Sequence, residues 1–178
     1  MKEEFILGEF WMLTVSAAFQ RANVYLPNGI KKEQNNFKDK LKEFIVDLSK
    51  SYINSTIDDE THIKNIKLIS SFSNSSLFKS VLIKGKLNFG VSQKLLNLYL
   101  KYLWCLDILN FPPPHFPVDR EIQKQLKIRK PYSWTAMDDE IEYLNVIEIA
   151  RKTLPDYPEI KNIAELELLL YKRRSTKK

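Results

Sequence analysis

The chain has 178 residues, 44% of them hydrophobic, and its 28 Lys and Arg against 22 Asp and Glu leave a net charge of +6. That composition suits one domain with a core of its own, and four glycines are too few for a turn-rich β architecture. The single cysteine, Cys105, excludes an internal disulfide framework and fits a reducing compartment. With only His62 and His115 beside it, the chain offers no ligand set for a metal, and no cofactor is expected.

In chain order, the first element is apolar "FILGEFWMLTVSAAF" (5–19), which follows "MKEE" and contains Glu9. A signal peptide wants a basic start, and a membrane span needs about 20 apolar residues. We therefore expect a buried helix over 4–22 in a cytoplasmic protein with no membrane contact. "LPNGI" (26–30) is a turn. Phe37, Leu41, Phe44, Ile45, Leu48 and Tyr52 then recur at helical spacing, with charges opposite. Asp58, Asp59 and Glu60 signal a helix start near 58, and the serine-rich stretch 70–76 reads as a loop.

A short helix is predicted over 77–84, then a tight turn around Gly90, then a long apolar helix ending near 106–108. "FPPPHFP" (111–117) can only be an extended connector, after which Asp119 opens a helix of roughly eight residues. Thr135 is the expected N-cap of the next helix, and the Asp156–Glu159 spacing with Pro158 marks the start of the last. The prediction is an all-α domain of seven to nine helices over 1–171, containing a helix-hairpin-helix-like element and followed by a basic tail at 172–178.

Charge is segregated along this plan. Between Thr61 and Leu106 there are seven lysines and no Asp or Glu, and the tail adds five cations, leaving the rest of the chain at net −6. A local positive field of this kind points to a nucleic-acid partner, or else to a merely solvated lysine face. On the long helix, Lys94, Asn97 and Lys101 fall three and four residues apart, so they form one polar line on an otherwise apolar element. Gly90 permits a sharp turn, and the amides of Gly90, Val91, Ser92 and Gln93 at a helix start would seat a phosphate, with Lys84 and Lys86 reinforcing it.

The order of these features resembles the helix-hairpin-helix superfamily of DNA glycosylases. "FGVSQK" places Gly90 at the first motif glycine and Lys94 at the motif lysine, and "PVDREI" places Asp119 at the motif aspartate. The proline-rich connector is most similar to that of the archaeal-type oxidised-guanine glycosylases. The match spans 85–127. Ser92 stands where the second glycine would be, and a cluster-binding set of cysteines is lacking.

The resemblance implies base excision, with Asp119 stabilising positive charge on the sugar and Lys94 as a Schiff-base nucleophile. Lys84, Lys86, Lys101 and residues 90–93 would hold the strand, and Gln20 or Asn23 would sit beside a flipped base. Phe19, Trp104 and Trp134 are the aromatic candidates for that pocket, each better explained by core packing. Lys94, on an apolar helix with no acid nearby in sequence, is expected to be a depressed-pKa amine. The expected partner is duplex DNA with a damaged or abasic site, bound by a monomer. A DNA-binding module without chemistry and a helical accessory subunit are the alternatives.

Overall fold

The structure, a computed structural model, describes residues 1–171; the basic tail at 172–178 lies outside them. Seven α-helices follow one another: α1 (Lys2–Phe19), α2 (Lys31–Ser49), α3 (Asp59–Ser73), α4 (Phe89–Cys105), α5 (Arg120–Gln125), α6 (Ile141–Thr153) and α7 (Ile163–Leu170). The described residues contain no strand, only an isolated bridge between Tyr25 and Leu82. None of these helices is long and apolar enough to cross a membrane.

Helix α4 is the axis. Leu95, Leu96, Tyr99, Leu100 and Leu103 are buried along it, and it packs against α1 on one side and α3 on the other. Helix α1 turns Trp11, Val15 and Ala18 inward but leaves Phe5 and Met12 exposed. Phe37, Leu41 and Ile45 of α2, spaced by four on one helix face, are fully buried. Asp58 caps α3 by accepting from the Thr61 amide at 2.7 Å, where the sequence places a helix start.

Several boundaries differ from those read in the sequence. Residues 77–84 are not a helix: one 3-10 turn (Ser76–Phe78) leads into a loop that turns at Gly85, whose φ is +68°. Left-handed backbone is what glycine permits there, so the turn glycine is Gly85 and not Gly90. The stretch 70–76 is helix as far as Ser73, since Ile69 and Phe72 still have core to reach.

Thr135 does not cap a helix. Trp134–Ala136 is a single 3-10 turn, and α6 begins at Ile141. The last helix starts at Asn162, not Asp156. Asn162 accepts from the Glu165 amide at 2.9 Å, and Glu165 accepts from the Lys161 amide at 2.8 Å. This is a capping pair of the expected kind displaced by six residues.

Candidate active site

Asn88 sets the start of α4, accepting from the Val91 amide at 3.0 Å. Its side-chain amide donates to the Thr135 carbonyl at 2.8 Å, and the Gly90 amide donates to the Met137 carbonyl at 3.0 Å. The 134–137 segment is thereby fastened across the first turn of α4. A Cβ on Gly90 would lie 1.7 Å from the Trp134 carbonyl oxygen, so glycine is required for backbone approach. The approaching backbone is the protein's own.

That contact corrects the expected phosphate seat. Gly90, Val91, Ser92 and Gln93 are all buried, and the amides of the first three go to Met137, the Asn88 side chain and the Asn88 carbonyl. Ser92, at the second motif position, returns its hydroxyl to the Asn88 carbonyl at 2.9 Å. With donors already satisfied and no exposed surface, the four residues have nothing to offer a strand. Lys84 and Lys86 remain exposed, beside a shallow recess lined by Ala22, Val24 and Thr135.

One turn into α4 stands Lys94. Fastening of 134–137 lays the Trp134 ring against it, with Nζ 4.3 Å from the ring centroid. From the other side comes Asp119: Lys94 Nζ donates to Asp119 Oδ2 at 3.1 Å. Asp119 is also the N-cap of α5, its Oδ1 accepting from the amides of Glu121 and Ile122 at 2.8 and 3.1 Å. Both residues line a small cleft of about 190 Å³ with Gln20, Arg21, Arg120, Glu121, Trp134 and Tyr171. Burial pushes the Asp119 carboxyl up, but the Lys94 charge and the two amides outweigh it and hold the group below the usual carboxylate range.

The expected acid-free surroundings of Lys94 are corrected here. No acid is near it in sequence, yet the connector delivers one. Val118 is held to α4 by Gln93, whose side-chain amide donates to the Val118 carbonyl at 2.7 Å and whose oxygen accepts from the Val118 amide at 3.1 Å. This clamp sits one residue before Asp119. Pro112, Pro113, Pro114 and Pro117 have no N–H, so the connector has few donors with which to hold itself elsewhere.

Behind Gln93 lies a buried network whose polarity can be read donor by donor. Asn65 donates to the Tyr52 hydroxyl at 2.8 Å, which leaves Tyr52 to donate to His62 Nδ1 at 2.9 Å. His62 Nε2–H then donates to Asn97 Oδ1 at 2.8 Å, and Asn97 donates to the Gln93 oxygen and the Tyr143 hydroxyl. Tyr143 donates to His115 Nδ1 at 2.9 Å, and His115 Nε2–H donates to Asp59 at 3.0 Å. Asp59 also holds Arg151 at 2.7 Å. All partners are satisfied with both imidazoles neutral. Burial takes His62 down to about 3 and His115 down to about 4.

The polar line on α4 therefore divides among three surroundings, with Lys94 at the cleft. Asn97 points into this network, fully buried. Lys101, expected on the strand, is paired with Glu167 at 2.5 Å and lies under the Tyr171 ring. Gln20 lines the Lys94–Asp119 cleft; Asn23 is exposed in a left-handed turn and is not among the lining residues. Of the three aromatic candidates only Trp134 lines the cleft, while Phe19 packs against Tyr25 and Phe37. The structural roles of Gln93, His115 and Tyr143 have no signature in the sequence.

No known protein family, curated protein or solved structure matches this chain. A functional reading therefore stands on the site's own geometry. That geometry is a lysine on a helix and a carboxylate on a helix cap, converging on a solvent-reachable cleft. No group of three or more His, Cys, Asp or Glu among the described residues could hold a metal.

Proposed function

We propose that the protein is a DNA base-excision glycosylase with an associated lyase step, acting through Lys94 and Asp119. One observation carries the reading: a lysine and an aspartate 25 residues apart meet at 3.1 Å in one cleft. They are the two residues that the glycosylase resemblance selects. Nothing in helix packing requires such a pair, since a leucine would fill the Lys94 position on α4 at lower cost.

The chemistry uses both partners. Breaking the glycosidic bond sends its electron pair to the base and leaves positive charge on C1′ of the sugar. The Asp119 carboxylate, ionised and held by two amides, stabilises that charge where it develops. Lys94 passes a proton to the departing base anion, and the amine so freed forms the N–C1′ bond. Ring opening, with O4′ taking the second amine proton, gives a Schiff base, and loss of its C2′ proton to water then expels the 3′ phosphate. Insertion of the sugar separates the ion pair, which both frees the amine and aims the carboxylate. Gln20, Arg21 and Arg120 line the cleft as donors for the extruded nucleotide.

Borohydride trapping on duplex DNA containing an abasic or oxidised-guanine site tests this. The wild-type chain should give a covalent adduct, and Lys94→Gln should give none while still binding the duplex. Asp119→Asn keeps a competent N-cap, so it should slow base release without unfolding. Base release unaffected by either change would refute the assignment; DNA binding without any adduct would leave a non-catalytic binding module.

A further inference from the structure

The segment from Arg120 to Ser133 begins and ends at the cleft. Arg120 and Glu121 line it at one end, and Trp134 follows at the other. Between them, α5 makes barely two turns, and the chain reverses at Lys127, whose φ is +58°. Gln123, fully buried, ties the two legs together: its oxygen accepts from the Tyr132 amide at 2.7 Å, and its Nε2 donates to the Tyr132 and Asp119 carbonyls at 3.1 Å. Ile122 and Leu126 anchor the inner side in the core. The segment is a fixed lobe, not a loose loop.

Its outer side is cationic. Arg120, Lys124, Lys127, Arg129 and Lys130 are all exposed, and none forms an ion pair with a carboxylate of the described residues. The lobe's one acid, Glu121, accepts from Gln125 at 3.1 Å. Elsewhere on the surface Lys40, Lys50 and Lys67 are neutralised by neighbours, and Lys31, Lys32, Lys64 and Lys79 stand exposed without an ion pair among the described residues; what sets the lobe apart is five such cations within eleven residues. Five unpaired cations held together at like-charge proximity cost stability unless an anion joins them. Arg21, also exposed, reaches the cleft from the end of α1. Lys84 and Lys86 border a separate recess lined by Ala22 and Thr135, whose chain neighbours Arg21 and Trp134 line the Lys94–Asp119 cleft.

We propose that residues 120–133 form a phosphate-gripping lobe that binds the nucleic-acid backbone beside the nucleotide entering the cleft. The partner is a polynucleotide because its charges are regularly spaced and many. A single small anion would use only one or two of these side chains. The lobe takes over the anchoring that the buried amides of 90–93 do not provide. As an account of catalysis it rests on the glycosylase reading; as a binding surface it does not.

The test measures binding of the full chain to two labelled duplexes across a salt series, one undamaged and one carrying a tetrahydrofuran abasic analogue. The variants are Lys127→Gln/Arg129→Gln/Lys130→Gln and, as comparator, Lys84→Gln/Lys86→Gln. Each cation that contacts phosphate contributes about 0.9 to the slope of log K against log salt. The triple variant should therefore lose between two and three units of slope on both duplexes, with affinity at 0.1 M salt falling at least tenfold. Its thermal midpoint should not fall, because all three side chains are exposed and unpaired.

An unchanged slope and affinity in the triple variant would overturn the lobe, even if wild type traps covalently on abasic DNA. A lowered slope with no borohydride adduct would uphold the lobe and refute the chemistry. If neither duplex is bound at low salt while heparin is, the lobe serves another polyanion and the nucleic-acid assignment fails.

Discussion

Helix α4 carries two lysine–carboxylate pairs two turns apart, and each lysine lies against an aromatic ring. Lys94 meets Asp119 at 3.1 Å beneath Trp134; Lys101 meets Glu167 at 2.5 Å beneath Tyr171. The ingredients are alike, but the surroundings are not. Glu167 is 5% exposed in its side chain and Asp119 is 28%. Burial outweighs the Lys101 charge and pushes the Glu167 carboxyl up, whereas amides and Lys94 hold that of Asp119 down. One pair is a sealed clip between α4 and α7. The other opens onto a cleft, with a carboxylate that two backbone amides hold besides its lysine. What sets the two acids apart is what else solvates each of them, and not the ion pair itself.

Mutation of the lysines should separate the two pairs most sharply. Lys101→Met strands a buried carboxylate and should cost about 3 kcal/mol in denaturant unfolding. Lys94→Met should cost about 1 kcal/mol or less, since Asp119 keeps its two amides and its solvent. Equal losses would show that the cleft is no more open than the clip. The double variant Lys101→Met/Glu167→Leu should recover most of the loss, because an apolar pair of similar volume needs no desolvation.

The network behind the cleft should respond to acid. His62 and His115 have folded-state pKa values below the unfolded value, so the unfolded chain binds protons that the folded chain refuses. Stability is complete above about pH 6.5 and falls as pH drops towards 4, at roughly 2 kcal/mol per histidine by pH 5. Urea midpoints across pH 7.5 to 4.5 measure this. A flat profile would mean that the imidazoles are solvated.

Gly90→Ala forces the 134–137 backbone away from α4 and should destabilise by about 2–3 kcal/mol. Loss of Trp134 from Lys94 should appear as a change in tryptophan emission. Effects at Asp119 should be as small as that of Lys94→Met. Alanine there removes a cap and should cost about 1 kcal/mol, while asparagine should be nearly neutral for stability. An asparagine variant as unstable as alanine would make the residue's charge a structural requirement.

The all-α class was legible because core residues recur at helical spacing, as in Phe37, Leu41 and Ile45, and because glycines are scarce. Asp58 and Asp119 were legible as caps, since an acid before an apolar run has a local meaning. Lys94 and Asp119 were legible as a pair through motif order alone. Their separation, the clamp from Gln93 and the docking of Trp134 depend on contacts across 25 to 47 residues, for which short-range patterns carry no information. Gly90 shows the limit well. A glycine there reads locally as a turn, whereas the reason for it, the Trp134 carbonyl where a Cβ would lie, is a tertiary fact. The helix expected over 77–84 failed for the opposite reason: local propensity was read where bridge contacts between Tyr25 and Leu82 decide the path.

The Gln93 clamp makes α4 supply, from a side chain, what a neighbouring strand would supply from its backbone: one donor and one acceptor opposite Val118. The connector thus has a single rung of β-like pairing, next to a residue it must aim. Exchange of the Val118 amide hydrogen with solvent deuterium then becomes a gauge of how long Asp119 stays in register. Its protection reports the lifetime of the aimed state and not that of the fold as a whole.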